Sequence, residues 1–329
     1  MPTRRRALAV LAVLAVLAAA SLVLGLAVGS LALGLPDVFA ALFGDDNGLA
    51  GEVVRGLRLP RVLGAFACGG LLALAGALMQ VLLRNPLADP YVLGISGGAA
   101  VGALTAMLAG LALALVNLAA FAGAFAAMLL VFGLAHGDSS WTRTRLLLTG
   151  VIVAAGCGAV VALILSIAPE RQLHGMLYWL MGDASQIADP RPALAVLLLA
   201  LVTAMPFARE LNLLARGEVL AGSLGVRVPR LKRVVYGLAS LATATAVTTA
   251  GSIGFVGLVV PHLVRLAVGN DHRLLLPATV LAGGSLLVLA DTLARSVVAP
   301  QQLPVGVLTA LLGVPVFLFL LARQPGAQQ

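Results

Sequence analysis

Residues 209–233 read RELNLLARGEVLAGSLGVRVPRLKR and form the longest polar interruption in a chain that otherwise consists almost entirely of apolar segments. The stretch is basic, because its arginine and lysine residues outnumber its two acidic ones, Glu210 and Glu218. Its middle, from Gly217 to Gly225, has the pattern of a short amphipathic helix with a glycine at each end. A basic loop of this length between apolar spans is typical of a cytoplasmic docking surface. We therefore predict that an external partner drives this membrane protein.

The composition indicates an all-α, polytopic membrane protein. The 329 residues are 61% hydrophobic and 10% charged, whereas a soluble domain carries about 25% charged residues. Since one membrane-spanning helix needs about 20 apolar residues, the chain has room for roughly ten spans and little else. The net charge of +8 lies mostly in short loops, where it fits membrane topology better than nucleic-acid binding. The cysteines and histidines show no metal-ligand spacing, so we predict neither a nucleic-acid partner nor a metal site.

Ten apolar segments predict the membrane spans of a single transmembrane domain that covers residues 1–329. They lie at 7–29, 62–82, 92–112, 115–134, 146–168, 192–208, 234–250, 254–268, 274–292 and 304–322. The first is longer than the core of a secretory signal, so it is predicted to be a span that stays in the membrane. With this order, the basic residues divide about 15 to 6 between the two sides of the membrane. This bias predicts that both termini and the 209–233 loop are cytoplasmic.

Two segments interrupt the apolar pattern. Residues 84–102, RNPLADPYVLGISGGAAVG, combine two prolines with a glycine-rich helix start. Broken backbone at membrane depth is tolerated only where protein buries it or water lines it. This segment therefore predicts the wall of a pathway, the alternative being a simple turn between helices. Residues 251–265, GSIGFVGLVVPHLVR, predict a bent or re-entrant segment that ends at the cytoplasmic side near His262 and Arg265.

The sequence carries no pattern for ATP hydrolysis or covalent catalysis. GxxxxGK[ST] is absent, and Lys232, the only lysine, is followed by Arg233, so the chain cannot cradle phosphates in the P-loop manner. Ionisable residues are nearly absent from the spans, Asp291 being the main exception, whereas ion-driven carriers usually keep some there. We predict that this chain is not an enzyme and that another subunit supplies the energy. An ion-coupled secondary transporter is the alternative from a different class.

Motifs spread over nearly the whole chain resemble the membrane subunits of ABC importers for iron-siderophores, haem and cobalamin. They are RLPR (58–61), GALMQ (76–80), NPLADP (85–90), LGISGGA (93–99), GEVLAGSLGV (217–226), GSIGFVGLVVPH (251–262), DHRLLLP (271–277) and LPVGVLTALLGVPVFLFLL (303–321). The resemblance implies a lipid-embedded homodimer in the bacterial inner membrane, with ten spans per subunit and the pathway on the two-fold axis. It also implies two cytoplasmic ATPase subunits, which hold ATP and Mg, and a periplasmic substrate-binding protein. No cofactor is implied for this chain itself.

The resemblance places a coupling role on the basic loop, at residues 218–225. In this family the corresponding short helix sits in a cleft of the ATPase and transmits its closure. A short helix with Val219, Leu220 and Leu224 on its apolar side can lie in such a groove. The residues assigned to ATPase coupling are Arg216, Gly217, Glu218, Val219, Leu220, Ala221, Leu224 and Gly225.

The resemblance also assigns three arginines to the outer side of the membrane. Arg58, Arg61 and Arg295 match family arginines that receive acidic residues from the two lobes of the binding protein. Arginine suits this role because its planar guanidinium pairs with a carboxylate through two hydrogen bonds. Charges at the rim of an interface set orientation and association rate more than affinity.

The cytoplasmic gate and the pathway are assigned by the same resemblance. The gate falls near the start of the fifth span, on Thr142 and chiefly on Thr144, although Arg143 departs from the small polar residue usual there. One pathway position differs from cobalamin-type relatives, which commonly carry asparagine where this chain has a glycine at 97. The pathway residues are Asn85, Pro86, Gly94, Ser96 and Gly97.

The segment 174–185, HGMLYWLMGDAS, bears on the cargo. We interpret it as an outer loop, and it resembles the YWxMG pattern of cobalamin permeases more than the WxxGSL pattern frequent in siderophore relatives. DHRLLLP at 271–277 points the same way. The adjacent Tyr178 and Trp179 are typical of an aromatic belt at the membrane interface rather than of a ligand cage. Cobalamin is therefore the predicted cargo, with haem and ferric siderophores as alternatives.

Overall fold

Helices form the regular structure of the computed structural model, which describes residues 4–29, 33–44, 48–135, 143–299 and 301–323. Ten helices overlap the ten predicted spans: α1 (Arg4–Ala27), α4 (Leu59–Leu82), α5 (Ile95–Leu108), α6 (Leu113–Ala135), α7 (Arg143–Ile167), α9 (Arg191–Ala204), α12 (Val228–Ala250), α13 (Val256–Val268), α14 (His272–Ala294) and α15 (Val305–Arg323). The remaining α-helices are α2 (Leu35–Phe43), α3 (Leu49–Glu52), α8 (Glu170–Met181), α10 (Ala208–Arg216) and α11 (Glu218–Ser223), and a π-helical turn at Val53–Arg58 joins α3 to α4. The predicted all-α membrane fold is confirmed.

The ten span helices differ in how clearly their length and composition identify them as membrane spans. Within the described residues, six helical segments are long and apolar enough to cross a membrane, while α5, α13 and α15 are apolar but shorter. The tenth, α12, is rich in threonine. Its Thr243 and Thr249 hydroxyls donate to the carbonyls of Ala239 and Thr245, each at 2.7 Å. Because these bonds satisfy the hydroxyls within the helix, α12 can lie in the interior despite its lower hydropathy.

Helix α4 is the centre of the fold, since 89% of the residues in an 18-residue apolar stretch of Leu49–Leu82 are buried. It packs against α12, α13 and α14. Glycines allow the close approach: Gly69 faces Gly283 of α14, and Gly76 faces Gly257 of α13, with no room for a Cβ at either contact. In α1 and in α7, only 17% of the residues in the corresponding 18-residue apolar stretch are buried. These two helices therefore present most of their surface to lipid or to another subunit.

The contact between α4 and α13 predicts a strong effect of the smallest possible substitution. A Cβ at Gly76 would overlap the backbone carbonyl of Gly257, and backbone cannot move aside as a flexible side chain can. We expect Gly76→Ala to lower the free energy of unfolding by about 3 kcal/mol or more, measured by detergent titration of the purified protein. The control is Gly156→Ala on α7, where a Cβ meets nothing within 4 Å. Equal stability of the two variants would contradict this packing.

Two breaks in the helices bring irregular backbone into the interior. One precedes α5, where Gly94 has a φ of 74°. The other spans residues 251–255, between α12 and α13, and includes Phe255 at a φ of 69°, which is rare for a large side chain. The breaks meet, because the backbone N–H of Ile253 donates to the Tyr91 hydroxyl at 3.0 Å. Both predicted interruptions are present as helix breaks, and the role of the first as a pathway wall stays a prediction.

Contacts between helix ends define two sides of the molecule. On one side the ends of α1 and α14 meet the start of α4, where Arg58 donates to the last carbonyls of α1. On the other, Arg265 of α13 donates to Gln80 of α4 at 2.9 Å, and the backbone N–H of His272 donates to Asn212 of α10 at 2.9 Å. The second side carries α11 and is called the coupling side; the first is called the opposite side.

The segment 174–185 is not a loop, because most of it belongs to α8. That helix has 12 residues and begins directly after Pro169. It ends at Gly182, whose φ of 78° takes the chain out of the helix. Interpreting this segment as a loop was wrong, since a helix so short and amphipathic falls below the length that marks a span.

Candidate functional site

The predicted helix in the basic loop is present as α11, and glycines with left-handed backbones bound it. Gly217, with a φ of 146°, separates α11 from α10. Gly225, with a φ of 85°, follows its C-terminal end. Such φ values are accessible to glycine and strained for residues with a Cβ. The two glycines therefore set the sharp turns that hold α11 apart from the neighbouring helices.

Helix α11 displays apolar side chains on the coupling side. Val219 is 88% exposed, Leu224 59% and Leu220 43%. Ala221, by contrast, is fully buried against the rest of the chain. Removing such apolar surface from water contributes about 25 cal/mol per Å². A partner that covers this helix would therefore gain binding energy from it, and we call Val219, Leu220 and Leu224 the coupling patch.

One polar contact ties α11 to the transmembrane helices, and a second ties the neighbouring α10. Glu218 forms an ion pair with Lys232 of α12 at 2.6 Å, and the lysine side chain is only 7% exposed. On the neighbouring α10, Asn212 donates to Asp271 at 2.9 Å. Burial would raise the pKa of Asp271, but hydrogen bonds from Asn212 and from the backbone N–H of Arg273, with nearby positive charge, hold that pKa below its usual value. A displacement of α11 would therefore reach α12 directly.

The three arginines assigned to docking converge on the opposite side, where two of them cap α1. Arg58 donates to the carbonyls of Leu26 at 2.7 Å and Ala27 at 2.9 Å, and Arg295 donates to the carbonyl of Gly25. The last carbonyls of a helix have no partner within it, and cations there are favourable. Arg58 is 5% and Arg295 8% exposed. In this structure both arginines therefore serve the fold.

The third arginine, Arg61, is held by a carboxylate of the same chain. Its Nε and Nη2 donate to the two oxygens of Asp291 at 2.8 to 3.1 Å, and its Nη1 donates to Gln302 at 2.7 Å. The Arg61 and Asp291 side chains are 11% and 2% exposed. Arg295, one helical turn beyond Asp291, lies 4.0 Å from it. Sequence reasoning missed this cluster, although the four-residue spacing of Asp291 and Arg295 was a local signal for part of it.

The structure separates the assigned pathway residues into two places. Ser96 lies in the first turn of α5, where its hydroxyl shares a hydrogen bond of 3.0 Å with that of Ser252 beside the break before α13. Gly97, on the same helix, packs against Cys157 of α7. Asn85 accepts from the backbone N–H of Leu87 at 2.9 Å in the turn after α4, on the coupling side. In the sequence, Gly94 lies two residues before Ser96, and Pro86 directly follows Asn85.

The gate residues are placed only in part. Thr144 lies in the first turn of α7 and is exposed. Thr142 lies outside the described residues. The structure thus leaves the gate a prediction centred on Thr144.

A cavity of about 570 Å³ opens on the opposite side, between α5, α6, α8 and the end of α12. Tyr178 and Trp179 both line it. The ring of Tyr178 lies 4.5 Å from that of His174, and Trp179 is 9% exposed. These rings therefore face a cavity rather than forming an exposed interface belt, which differs from the sequence-based interpretation. Asn117, Asp183 and Gln302 add polar groups to its wall.

The bundle, its buried helix breaks and the exposed coupling patch define the class of a polytopic membrane permease. The chain belongs to the FecCD transport family, whose model matches residues 15–323. It is 45% identical over 272 residues to the cobalamin import system permease protein of Halobacterium salinarum, covering 82% of this chain and 73% of that protein. It is 44% identical over 275 residues to the hemin transport system permease protein of Yersinia pestis, covering 82% of each.

A solved structure shares the fold over nearly the whole chain. It is described as an inward-facing conformation of a metal-chelate type ABC transporter, with a TM-score of 0.83, 31% identity and coverage of 96% of this chain and 99% of that one. The chain is thus an ABC importer permease of the inner membrane, as the motifs predicted. No group of three or more metal-ligating side chains occurs within the described ranges.

Proposed function

We propose that this chain is the permease subunit of an ATP-driven importer that moves cobalamin across the inner membrane by alternating access. It works as a homodimer, with two ATPase subunits that hold ATP and Mg on the coupling side. A substrate-binding protein docks on the opposite side. The coupling side and both termini are cytoplasmic. The observation that carries the proposal is the 88% exposure of Val219 on a helix rigidly tied to the membrane domain.

Coupling follows from that geometry. The apolar coupling patch fits a groove on the ATPase, as amphipathic helices commonly do, and Arg216 and the turn glycines Gly217 and Gly225 set its direction. The Glu218–Lys232 ion pair joins it to α12, which packs against the central helix α4. Closure of the ATPase pair on ATP would therefore move α12 and α4 together, and would alter access at the helix breaks.

Docking on the opposite side uses the cluster of Arg58, Arg61 and Arg295. Of these, Arg61 is held by side chains alone, so an incoming carboxylate can take the place of Asp291 on its guanidinium. Arg58 and Arg295 add to the positive electrostatic potential of this surface while their hydrogen bonds cap the end of α1. An Arg58→Glu variant is for this reason a poor test of docking, because it would also disrupt the end of α1. Arg61→Lys is the better choice, because it keeps a positive charge beside the buried Asp291 but cannot hold an incoming carboxylate through two parallel hydrogen bonds.

The transport path is proposed to pass the helix breaks and to be closed on the cytoplasmic side by Thr144 and Thr142. Gly94, Ser96 and Gly97 would line it at membrane depth, and Asn85 and Pro86 at its coupling-side end. Small residues with few strong contacts suit a pathway that must release its cargo.

Cobalamin is proposed over haem and ferric siderophores for two reasons. Residues 178–182 match the YWxMG pattern, and residues 271–277 read DHRLLLP. A relative named for cobalamin import supports this choice, but one named for hemin transport is nearly as similar. The cavity beside Tyr178 and Trp179, about 570 Å³, falls within the range of pockets that hold small molecules. It would receive part of a large chelate rather than the whole.

The cargo is tested by ATP-driven uptake into proteoliposomes that hold this chain, its co-purifying ATPase and the matching binding protein. We expect labelled cobalamin to accumulate, and an excess of haem or of a ferric siderophore to leave that uptake unchanged. Uptake of haem or siderophore in place of cobalamin would keep the importer and overturn the cargo. A Tyr178→Phe/Asn117→Leu variant, which changes two lining side chains and leaves the Gln302 contact of Arg61 intact, shows whether the cavity takes part, through a change in the uptake KM.

A further inference from the structure

A second, larger cavity lies on the coupling side and is strongly basic. Its volume is about 960 Å³. Its wall is formed by the ends of transmembrane helices: the first turn of α1, the last turn of α4, α10, the end of α13 and the start of α14. Charged lining residues are Arg6, Arg84, Arg216, Arg265 and Asp271. Leaving aside Arg6, which has interactions of its own, three guanidiniums and one carboxylate line the cavity.

The one carboxylate is already engaged. Asp271 accepts hydrogen bonds from Asn212 at 2.9 Å and from the backbone N–H of Arg273 at 3.1 Å. Arg265 donates to the neutral Gln80 at 2.9 Å. Arg84 and Arg216 are exposed, and neither has an ion-pair partner among the described residues. The cavity thus holds more positive charge than the described part of the chain neutralises, which favours an anion.

The cavity also has an apolar side that continues toward the bilayer. Leu266 lines it and is 66% exposed, and Leu263, one turn earlier on the same face of α13, is 40% exposed. Val81 and Leu274 add apolar wall. An occupant with a charged head and an apolar tail therefore fits this place better than a free anion does. The cavity lies at the ends of spanning helices, the depth at which lipid headgroups sit.

We infer that this cavity binds the phosphate headgroup of an anionic phospholipid, with Arg84 and Arg216 as its principal contacts and the Leu263–Leu266 face beside an acyl chain. Basic pockets between transmembrane helices on the cytoplasmic side are suited to such headgroups. The site adjoins the coupling helix, because Arg216 precedes Gly217 and a Cβ at Gly217 would lie 4.0 Å from Arg84 Nη1. A bound headgroup would therefore brace the turn that orients the coupling patch. This inference does not depend on the cargo.

The test is native mass spectrometry of the full chain, with its co-purifying partners, released from nanodiscs of mixed phosphatidylglycerol and phosphatidylethanolamine. We expect phosphatidylglycerol to be retained selectively by the wild type. In Arg84→Gln/Arg216→Gln its apparent affinity should fall about 30-fold, from two basic contacts of about 1 kcal/mol each. The matched control is Arg230→Gln/Arg233→Gln, which removes the same charge from exposed positions at the start of α12, outside the cavity.

Three outcomes would overturn the inference. The first is equal retention of phosphatidylglycerol by both double variants and the wild type. The second is complete displacement of the lipid by millimolar inorganic phosphate, which would make this a site for a soluble anion. The third is lipid binding only after the partner ATPase has been stripped away, which would assign the cavity to that protein interface. Selective loss in the Arg84/Arg216 variant alone supports the lipid site, whether or not uptake is ATP-driven.

Discussion

Replacing Val219 by glutamate is expected to abolish energy coupling while leaving the membrane domain folded. The side chain is 88% exposed, so the substitution removes no internal contact of this chain. In the assembled importer, however, the same side chain would be buried in the ATPase groove. There an unpaired carboxylate is costly, and interface hot spots contribute about 2 to 4 kcal/mol. ATPase association should therefore weaken by about 30- to 1,000-fold.

The measurement is co-purification of the ATPase with the permease, followed by ATP-driven uptake by the same preparation. Val219→Ile is the matched control, since it keeps a β-branched apolar side chain and adds no charge. We expect it to retain most of the association. The detergent-extracted yield and melting temperature of Val219→Glu should equal those of the wild type. If Val219→Glu binds the ATPase as tightly as the wild type does, the coupling patch is not part of the ATPase interface.

The second large effect is expected at Asp291. Arg61 at 2.8 Å and Arg295 at 4.0 Å flank this carboxylate, and Asp291→Asn removes its charge while preserving the shape of the side chain. Removing one partner of a buried ion pair costs about 3 to 5 kcal/mol, because the other charge stays buried. Arg61 can turn partly toward solvent, but Arg58 and Arg295 are 5% and 8% exposed and are held to the end of α1. We expect the free energy of unfolding to fall by this amount.

The control for Asp291 is an exposed ion pair on the same chain. Asp189 pairs with Arg191 at 2.8 Å, with side chains 45% and 86% exposed, and ion pairs so open to solvent contribute little to stability. Asp189→Asn should accordingly leave the unfolding midpoint of the same detergent titration unchanged. If Asp291→Asn is no more destabilising than Asp189→Asn, the ion pairs of Asp291 do not stabilise the fold, which would contradict this prediction.

Much of the fold could be predicted from the sequence because a bilayer imposes simple rules. Six of the span helices follow from apolar runs of sufficient length, the other four from shorter or less apolar runs between clear interruptions, and the two helix breaks from proline and glycine within such runs. Helix α11 was predictable because its glycines and its basic surroundings are local features. By contrast, α8 is too short and amphipathic to resemble a span, so the segment around Tyr178 was assigned to a loop.

The arginines of the opposite side are the residues whose contacts the sequence could not predict. Arg61 and Asp291 are separated by 230 positions in the chain, and no local pattern indicates that they pair. The capping of α1 by Arg58 and Arg295 likewise depends on how three distant helix ends meet. Residues assigned by resemblance to docking thus also stabilise the fold, and their substitution affects both.

The energy source tests the central claim most directly. The full assembly is reconstituted in proteoliposomes, and uptake is measured with ATP supplied to the coupling side and all ion gradients collapsed by ionophores. The account predicts uptake that requires ATP and the partner ATPase, and that continues without any gradient. Uptake driven by a proton or sodium gradient and indifferent to ATP would contradict it, and would make this chain an ion-coupled carrier.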